Sequence, residues 1–144
     1  MAQEQARALQ QDETAPLALE EGDKAKLQFA ASTHELIMTR LAEGQYESIL
    51  PEYRKILALQ LSGSFDERLT QGAWLIVDEL RTEGQYDLAH SVIKETLSRV
   101  SDVDSRWELL ILQGKTYKEQ GLYGKAIASL EEARKLRPQN HPDQ

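Results

Sequence analysis

The chain has 144 residues, of which 40% are hydrophobic and 28% are charged, and its net charge is −7. This composition is typical of one globular domain with enough chain to bury a core. The absence of cysteine excludes disulfides, thiolate metal sites and a cysteine nucleophile. The acidic balance argues against nucleic acid as a partner, because phosphates require a basic footprint.

The N-terminal segment, residues 1–22, is rich in Gln, Glu and Ala and is interrupted by Pro16. We expect an arm that is partly disordered or forms a short helix. It lacks the basic and apolar parts of a signal peptide, and the longest apolar run, 73–77, is too short to span a bilayer. A soluble, cytoplasmic protein without a membrane span is therefore the expectation.

The first helical pattern covers residues 27–43, where apolar residues recur at helical spacing. Asp23 is a candidate cap for this helix. The motif Glu-Gly-Gln-Tyr at 43–46 follows, and a second helical pattern begins after Tyr46. Pro51 lies near the start of that second helix, where its missing N–H is tolerated.

The same arrangement occurs twice more along the chain. Helical patterns at 69–83 and 109–119 each precede a glycine, Gly84 and Gly121, and another helical pattern follows each glycine. The residues at 64–67 and 105–108 are typical of capping boxes that start these helices. Pro138 is expected to end the last helix, and 139–144 to form a flexible tail.

The three glycines are 40 and 37 residues apart, a period that indicates stacked helical repeats. After each first helix a glycine supplies the left-handed residue of the turn. The tyrosine that follows opens the second helix, with its ring between the two helices. The pattern predicts an all-α repeat domain over 23–138, with units at about 30–63, 70–103 and 107–140.

The stretch GKTYKEQGLYGKAIASLEEARKLRPQN, residues 114–140, resembles the tetratricopeptide repeat. The resemblance implies a right-handed α-α superhelix of about three hairpins, in which the first helix of each hairpin lines the concave side. The residues expected to form the turns and the close helix contacts are Gly44, Tyr46, Gly84, Tyr86, Gly114, Tyr117, Gly121, Tyr123, Ala126 and Pro138.

The resemblance also implies a set of groove-facing side chains. They are His34, Met38, Leu41, Gln71, Trp74, Leu75, Asp78, Arg81, Glu108, Ile111, Leu112, Lys115 and Lys118. The family's carboxylate clamp of Lys, Asn and Arg is missing from the matching positions, so the heat-shock co-chaperone reading is rejected. An apolar groove with a polar rim suits an amphipathic helix or an extended apolar segment of a protein partner.

No catalytic, cofactor or metal motif is present. His34, His90 and His141 are far apart in sequence, and there is no zinc-protease helix, phosphate-binding glycine loop or nucleophile elbow. We therefore expect a non-catalytic interaction module, acting as an adaptor, a scaffold or a chaperone-like protein, with no cofactor.

Two alternatives remain open. One is self-assembly through the repeat ends, as a homodimer or a larger homo-oligomer. Residues 1–112 carry 11 basic and 20 acidic side chains, whereas 113–144 carry 6 and 4, so an acidic front could meet a basic tail. The other is a bacterial secretion chaperone, which small acidic three-repeat proteins resemble.

Overall fold

The computed structural model describes residues 21–61 and 65–136, and all regular structure in these ranges is helical, as the sequence predicts. One turn of 3-10 helix, Tyr46–Ser48, leads into the second helix. The α-helices are α1 (Glu21–Ala42), α2 (Ile49–Leu57), α3 (Phe65–Thr82), α4 (Tyr86–Leu97), α5 (Val103–Glu119) and α6 (Tyr123–Leu136). The N-terminal arm up to residue 20, Pro138 and the tail at 139–144 lie outside the described residues.

Consecutive helices pair into three hairpins, α1–α2, α3–α4 and α5–α6. The hairpins also pack on their neighbours: α3 lies against α1, α4 against α2, and α5 against both α3 and α4. Apolar side chains of α1 to α5 meet in one continuous core. Fully buried members of this core include Ile37, Ile49, Ile76, Val77, Leu80, Val92, Ile93, Leu109 and Leu112.

The three turns share one backbone geometry, which confirms the role predicted for their glycines. Gly44, Gly84 and Gly121 have φ angles of 73°, 73° and 78°, the left-handed region that glycine occupies without strain. In the second turn the Gly84 amide donates to the Arg81 carbonyl at 3.0 Å, and the next amide donates to the Leu80 carbonyl at 2.8 Å. The same pair of bonds, a Schellman motif, closes the other two turns.

These turns fix which positions of the hairpins are equivalent, with offsets of 40 and then 37 residues. The tyrosines that follow the glycines differ in burial. Tyr46 and Tyr86 are half-buried, as expected for rings between two helices. Tyr123 is 63% exposed, so its predicted position between helices is wrong. The reason is that, within the described residues, no following hairpin covers the last one.

The close contact inside the third hairpin involves Gly114 of α5. A Cβ at this position would lie 2.8 Å from Leu130 Cδ2 and 3.4 Å from the Ala126 carbonyl oxygen. Ala126 itself is buried. The small residues predicted at these two positions therefore let α5 and α6 approach closely, and Tyr117 lies one turn further along α5 at the contact with α4.

Two predicted helix starts are wrong. Helix α1 already includes Glu21, so Gly22 and Asp23 lie inside it and Asp23 is not its cap. Helix α5 is capped by Asp102, whose carboxylate accepts a hydrogen bond from the Ser105 amide at 2.9 Å. Ser105 is therefore not the cap but a residue of the first turn of α5, and the cap position belongs to Asp102. Pro51 is in the first turn of α2, as predicted.

Candidate protein-binding groove

The first helices of the three hairpins, α1, α3 and α5, form an open face with two adjoining concavities. The first, of about 360 Å³, lies between α1 and α3, and His34 is in its wall. The second, of about 580 Å³, lies between α3 and α5. Gln71 and Leu75 line both concavities, so the two form one continuous groove across the three helices.

The second concavity is the more apolar part of the groove. Trp74 and Leu75 of α3 lie across from Trp107 and Ile111 of α5. Trp107 and Ile111 are one helical turn apart and therefore share a face. Leu75 is 53% exposed, and Trp74 and Ile111 are half-buried, so apolar surface is accessible to a partner.

A cationic side chain borders this apolar pocket. The Lys115 ammonium lies 5.6 Å from the centroid of the Trp74 ring, a distance at which a cation is attracted by the ring face. Lys118, one turn further along α5, is exposed and lines neither concavity. Lys115 therefore adds positive charge beside the pocket, whereas the prediction that Lys118 faces the groove is wrong.

Asp78 and Arg81, predicted to contact a partner, are already paired within the chain. The Arg81 guanidinium lies 3.2 Å from the Asp78 carboxylate and 3.1 Å from the Glu119 carboxylate. The Arg81–Glu119 contact is bidentate and links α3 to α5. The network therefore holds the two groove helices together at the rim.

His34 lies beside Gly72 of α3, where a Cβ would be 3.5 Å from the histidine Nδ1. Burial lowers the pKa of His34 below its ordinary value, and the Glu35 carboxylate offsets this only in part. The imidazole is thus neutral at pH 7 and can donate one hydrogen bond and accept another. Met38, one turn further along α1, is half-buried against the core and contributes little to the groove.

Two residues predicted to face the groove are instead in the core. Leu112 is fully buried and Leu41 is 4% exposed. The physical reason for Leu112 is that α5 packs against α4 as well as α3, which buries an additional row of α5. Leu75, the equivalent residue of α3, remains exposed because α3 has no comparable contact with α2, the second helix of the preceding hairpin.

Trp107 is a groove residue that was not predicted from the sequence, although Glu108 beside it was. The signal was present, since Trp107 precedes Ile111 by four residues and helical neighbours at this spacing share a face. The predicted capping box at 105–108 instead placed Trp107 at the very start of the helix. Because the true cap is Asp102, Trp107 lies a full turn inside α5.

His90, the other histidine that the structure describes, is held by contacts with α5. His90 is stacked on Tyr117, with ring centroids 4.0 Å apart, and its Nε2 is 2.7 Å from Gln120 Oε1. Within 21–61 and 65–136 no three His, Asp or Glu side chains are grouped so as to hold a metal ion. No helix in these ranges is both long and apolar enough to cross a membrane. His141 lies outside the described residues.

Comparison with known protein families, curated proteins and solved structures found no match to this chain. The tetratricopeptide resemblance of residues 114–140 therefore stays a prediction. A proposal for the function therefore has to rest on the geometry of the groove.

Proposed function

We propose that this chain is a non-catalytic protein-interaction module that binds a segment of a partner protein in the groove across α1, α3 and α5. The observation that carries the proposal is the exposed apolar pocket formed by Trp74, Leu75, Trp107 and Ile111. Two tryptophans and two aliphatic side chains in one concavity are typical of an energetic hot spot in protein recognition.

The dimensions of the groove favour a short partner segment. Neighbouring helices pack about 8–10 Å apart, so a segment that crosses three of them spans roughly 20 Å. An amphipathic helix of about 13 residues or an extended segment of about six residues covers this distance. Its bulky apolar side chain would occupy the pocket at Trp74, and the His34 concavity would take a smaller group.

The hairpin geometry supports a tetratricopeptide-like stack as the basis of this groove. Each hairpin has the same glycine turn, and the close approach at Gly114 is where the repeat pattern has its small residue. We propose a right-handed arrangement of the three hairpins, with the groove on the inner side and the protein acting in the cytoplasm as an adaptor or chaperone-like module.

The test is a pull-down from a lysate of the source organism, read by mass spectrometry, with the variant Leu75→Glu. Leu75 is an exposed groove residue, so a carboxylate there disturbs the groove and not the core. The matched control is Phe29→Glu, which changes an exposed apolar residue of α1 that lines neither concavity. Circular dichroism establishes that both variants fold.

We expect partners that the wild type and Phe29→Glu retain and that Leu75→Glu loses, with at least a tenfold drop in affinity for the purified pair. Retention of the same partners by Leu75→Glu would contradict the proposal, because binding would then occur at another surface. A second groove variant, Ile111→Glu, should reproduce the loss from the opposite wall of the pocket.

A further inference from the structure

Helix α6 has an apolar stripe on the end of the stack. Tyr123, Ile127 and Leu130 are 63%, 58% and 41% exposed. Their spacing of four and three residues places them on one face of the helix. The adjacent face, with Ala126, Ser129 and Ala133, is buried against α5. The stripe is thus a row of large apolar side chains outside the groove described above.

In the preceding hairpin the equivalent surface is covered. The positions 37 residues earlier are Tyr86, His90 and Ile93 of α4. Ile93 is fully buried, and His90 is buried because its ring stacks on Tyr117 of α5 and bonds to Gln120. The α6 stripe therefore occupies the place where, inside the chain, the next helix packs.

The other end of the stack matches this stripe only in part, because the exposed apolar residues Phe29 and Leu36 of α1 have the polar Ser32 between them on the same face. The buried apolar row of α5 includes Leu109 and Leu112. The equivalent residues of α1, 77 positions earlier, are Ser32 and Glu35, and both are exposed. A head-to-tail contact would place this polar row on the apolar stripe and leave polar groups without water. The predicted head-to-tail meeting of an acidic front with a basic tail is therefore less favourable than a contact of the stripe with a second copy of itself.

We propose that the α6 stripe is covered by a second copy of this chain, with the two α6 helices antiparallel about a two-fold axis. When the axis passes between positions 128 and 129, Ile127 of each copy lies opposite Leu130 of the other. Tyr123 then lies opposite Arg134, a cation on an aromatic ring. A parallel pairing would instead place Arg134 against Arg134. Such an isologous contact closes at two copies.

In this antiparallel pairing the Arg134 side chain can turn toward the partner copy. Within the described residues Arg134 pairs with Glu131 of its own helix at 2.8 Å, and both side chains are exposed, so that ion pair holds the guanidinium weakly. The stripe is shorter than the contact of a permanent dimer, so we expect a dissociation constant on the order of 10–100 µM.

The proposed dimer leaves both grooves open, because the groove is on α1, α3 and α5 and the stripe is on α6. A partner with two copies of its binding segment would then engage both grooves at once. Linked binding of this kind raises the overall affinity roughly 10²- to 10⁴-fold without any new contact.

The test is sedimentation velocity of the full chain from about 1 µM to about 1 mM, a range that brackets the expected affinity. The wild type is compared with Ile127→Glu, which puts two carboxylates into the dimer contact. Ala128→Glu is the matched control on the same helix, exposed but off the stripe. Phe29→Glu alters an exposed apolar residue of α1 and tests the head-to-tail alternative.

We expect concentration-dependent dimers for the wild type, Ala128→Glu and Phe29→Glu, and at least a tenfold weaker association for folded Ile127→Glu. A wild type that stays monomeric at the highest concentration overturns the proposal, as does an Ile127→Glu variant that dimerises normally. Loss of association in Phe29→Glu would also overturn it in favour of head-to-tail contact. Leu75→Glu should dimerise normally, so failure of the groove and failure of the dimer are separate results.

Discussion

A glycine in a turn and a glycine in a helix of this chain should affect the free energy of unfolding in opposite ways. Gly84 has a φ angle of 73°, whereas Gly124 lies in the first turn of α6 and has no positive φ angle. Neither has an atom of another residue near the place where a Cβ would be. The two sites therefore differ in backbone conformation and not in available space, so they separate the conformational cost of a side chain from any steric clash.

We predict that Gly84→Ala lowers the free energy of unfolding by about 1–2 kcal/mol, because a left-handed residue with a Cβ is strained. Gly124→Ala should raise it by about 0.5–1 kcal/mol, because alanine loses less entropy in a helix. Urea denaturation measures both changes. Equal effects of the two substitutions would mean that the turn geometry does not require glycine.

At the scale of helices, a buried hydrogen bond connects the first two hairpins. The Tyr53 hydroxyl of α2 is 2.6 Å from Thr96 Oγ1 of α4. Thr96 donates its own hydrogen to the Val92 carbonyl at 2.6 Å, so Tyr53 is the donor in the contact between helices. Burial raises the pKa of Tyr53 well above its ordinary value, which keeps that donor protonated.

The direction of this bond makes the two partners unequal. We predict that Tyr53→Phe costs about 1 kcal/mol of unfolding free energy, because Thr96 keeps its bond to Val92. Thr96→Val should cost more, about 1–3 kcal/mol, because it leaves a buried hydroxyl donor without an acceptor. In the double variant the cost should be less than the sum of the two. Additive costs in denaturant titrations would contradict the pairing.

For the whole molecule, two histidines couple the hairpin contacts to pH. His34 lies against Gly72 between the first two hairpins, and His90 lies against Tyr117 between the last two. Burial lowers the pKa of His90 as it does that of His34; Gln120 and Asp87 oppose this, and Lys94 and Lys125 add to it. Both imidazoles therefore take up a proton at a lower pH in the folded chain than in the unfolded chain.

The unfolded chain binds protons at these histidines from pH 6.5 downward, before the folded chain does. We predict that the free energy of unfolding is highest above pH 6.5 and falls as the pH decreases below it. Replacing both histidines with glutamine should flatten the profile between about pH 7.5 and about pH 5. Thermal unfolding across this range measures the effect. If the double variant kept the same pH dependence of the unfolding free energy, that dependence would come from other titratable groups.

The contribution of the Glu95 carboxylate to the free energy of unfolding changes in a lower pH range. A hydrogen bond from Arg54 lowers the pKa of Glu95 below its ordinary value of 4.5. Its stabilising effect is present above pH 4.5 and is lost as the pH falls through the lower value of the folded chain. The two histidines can thus be studied separately from this ion pair.

How far the sequence predicts this fold depends on whether a feature is local. The three turns were predictable because their geometry depends only on residues that are adjacent in the sequence, with a left-handed glycine after a helix. The burial of Leu112 was not, because it depends on α5 packing against α4 as well as α3. The exposure of Tyr123 depends in the same way on what lies beyond the last hairpin.

The groove residues were predicted where they follow the repeat register, as for Trp74, Leu75 and Ile111. The pairing of Arg81 with Glu119 was not predicted, because charge alone does not specify which side chains meet across two helices. Trp107 was missed because the helix start was placed three residues too late.

The nearest-neighbour packing of the hairpins has a consequence for how the chain opens. Within the described residues, the first hairpin packs substantially against the second and not against the third. Such a stack behaves as a row of coupled units, so an end hairpin can detach while the others stay folded. A segment bound along all three groove helices would bridge units that do not otherwise meet. Amide hydrogen exchange, uneven along the free chain, should then become uniformly slow.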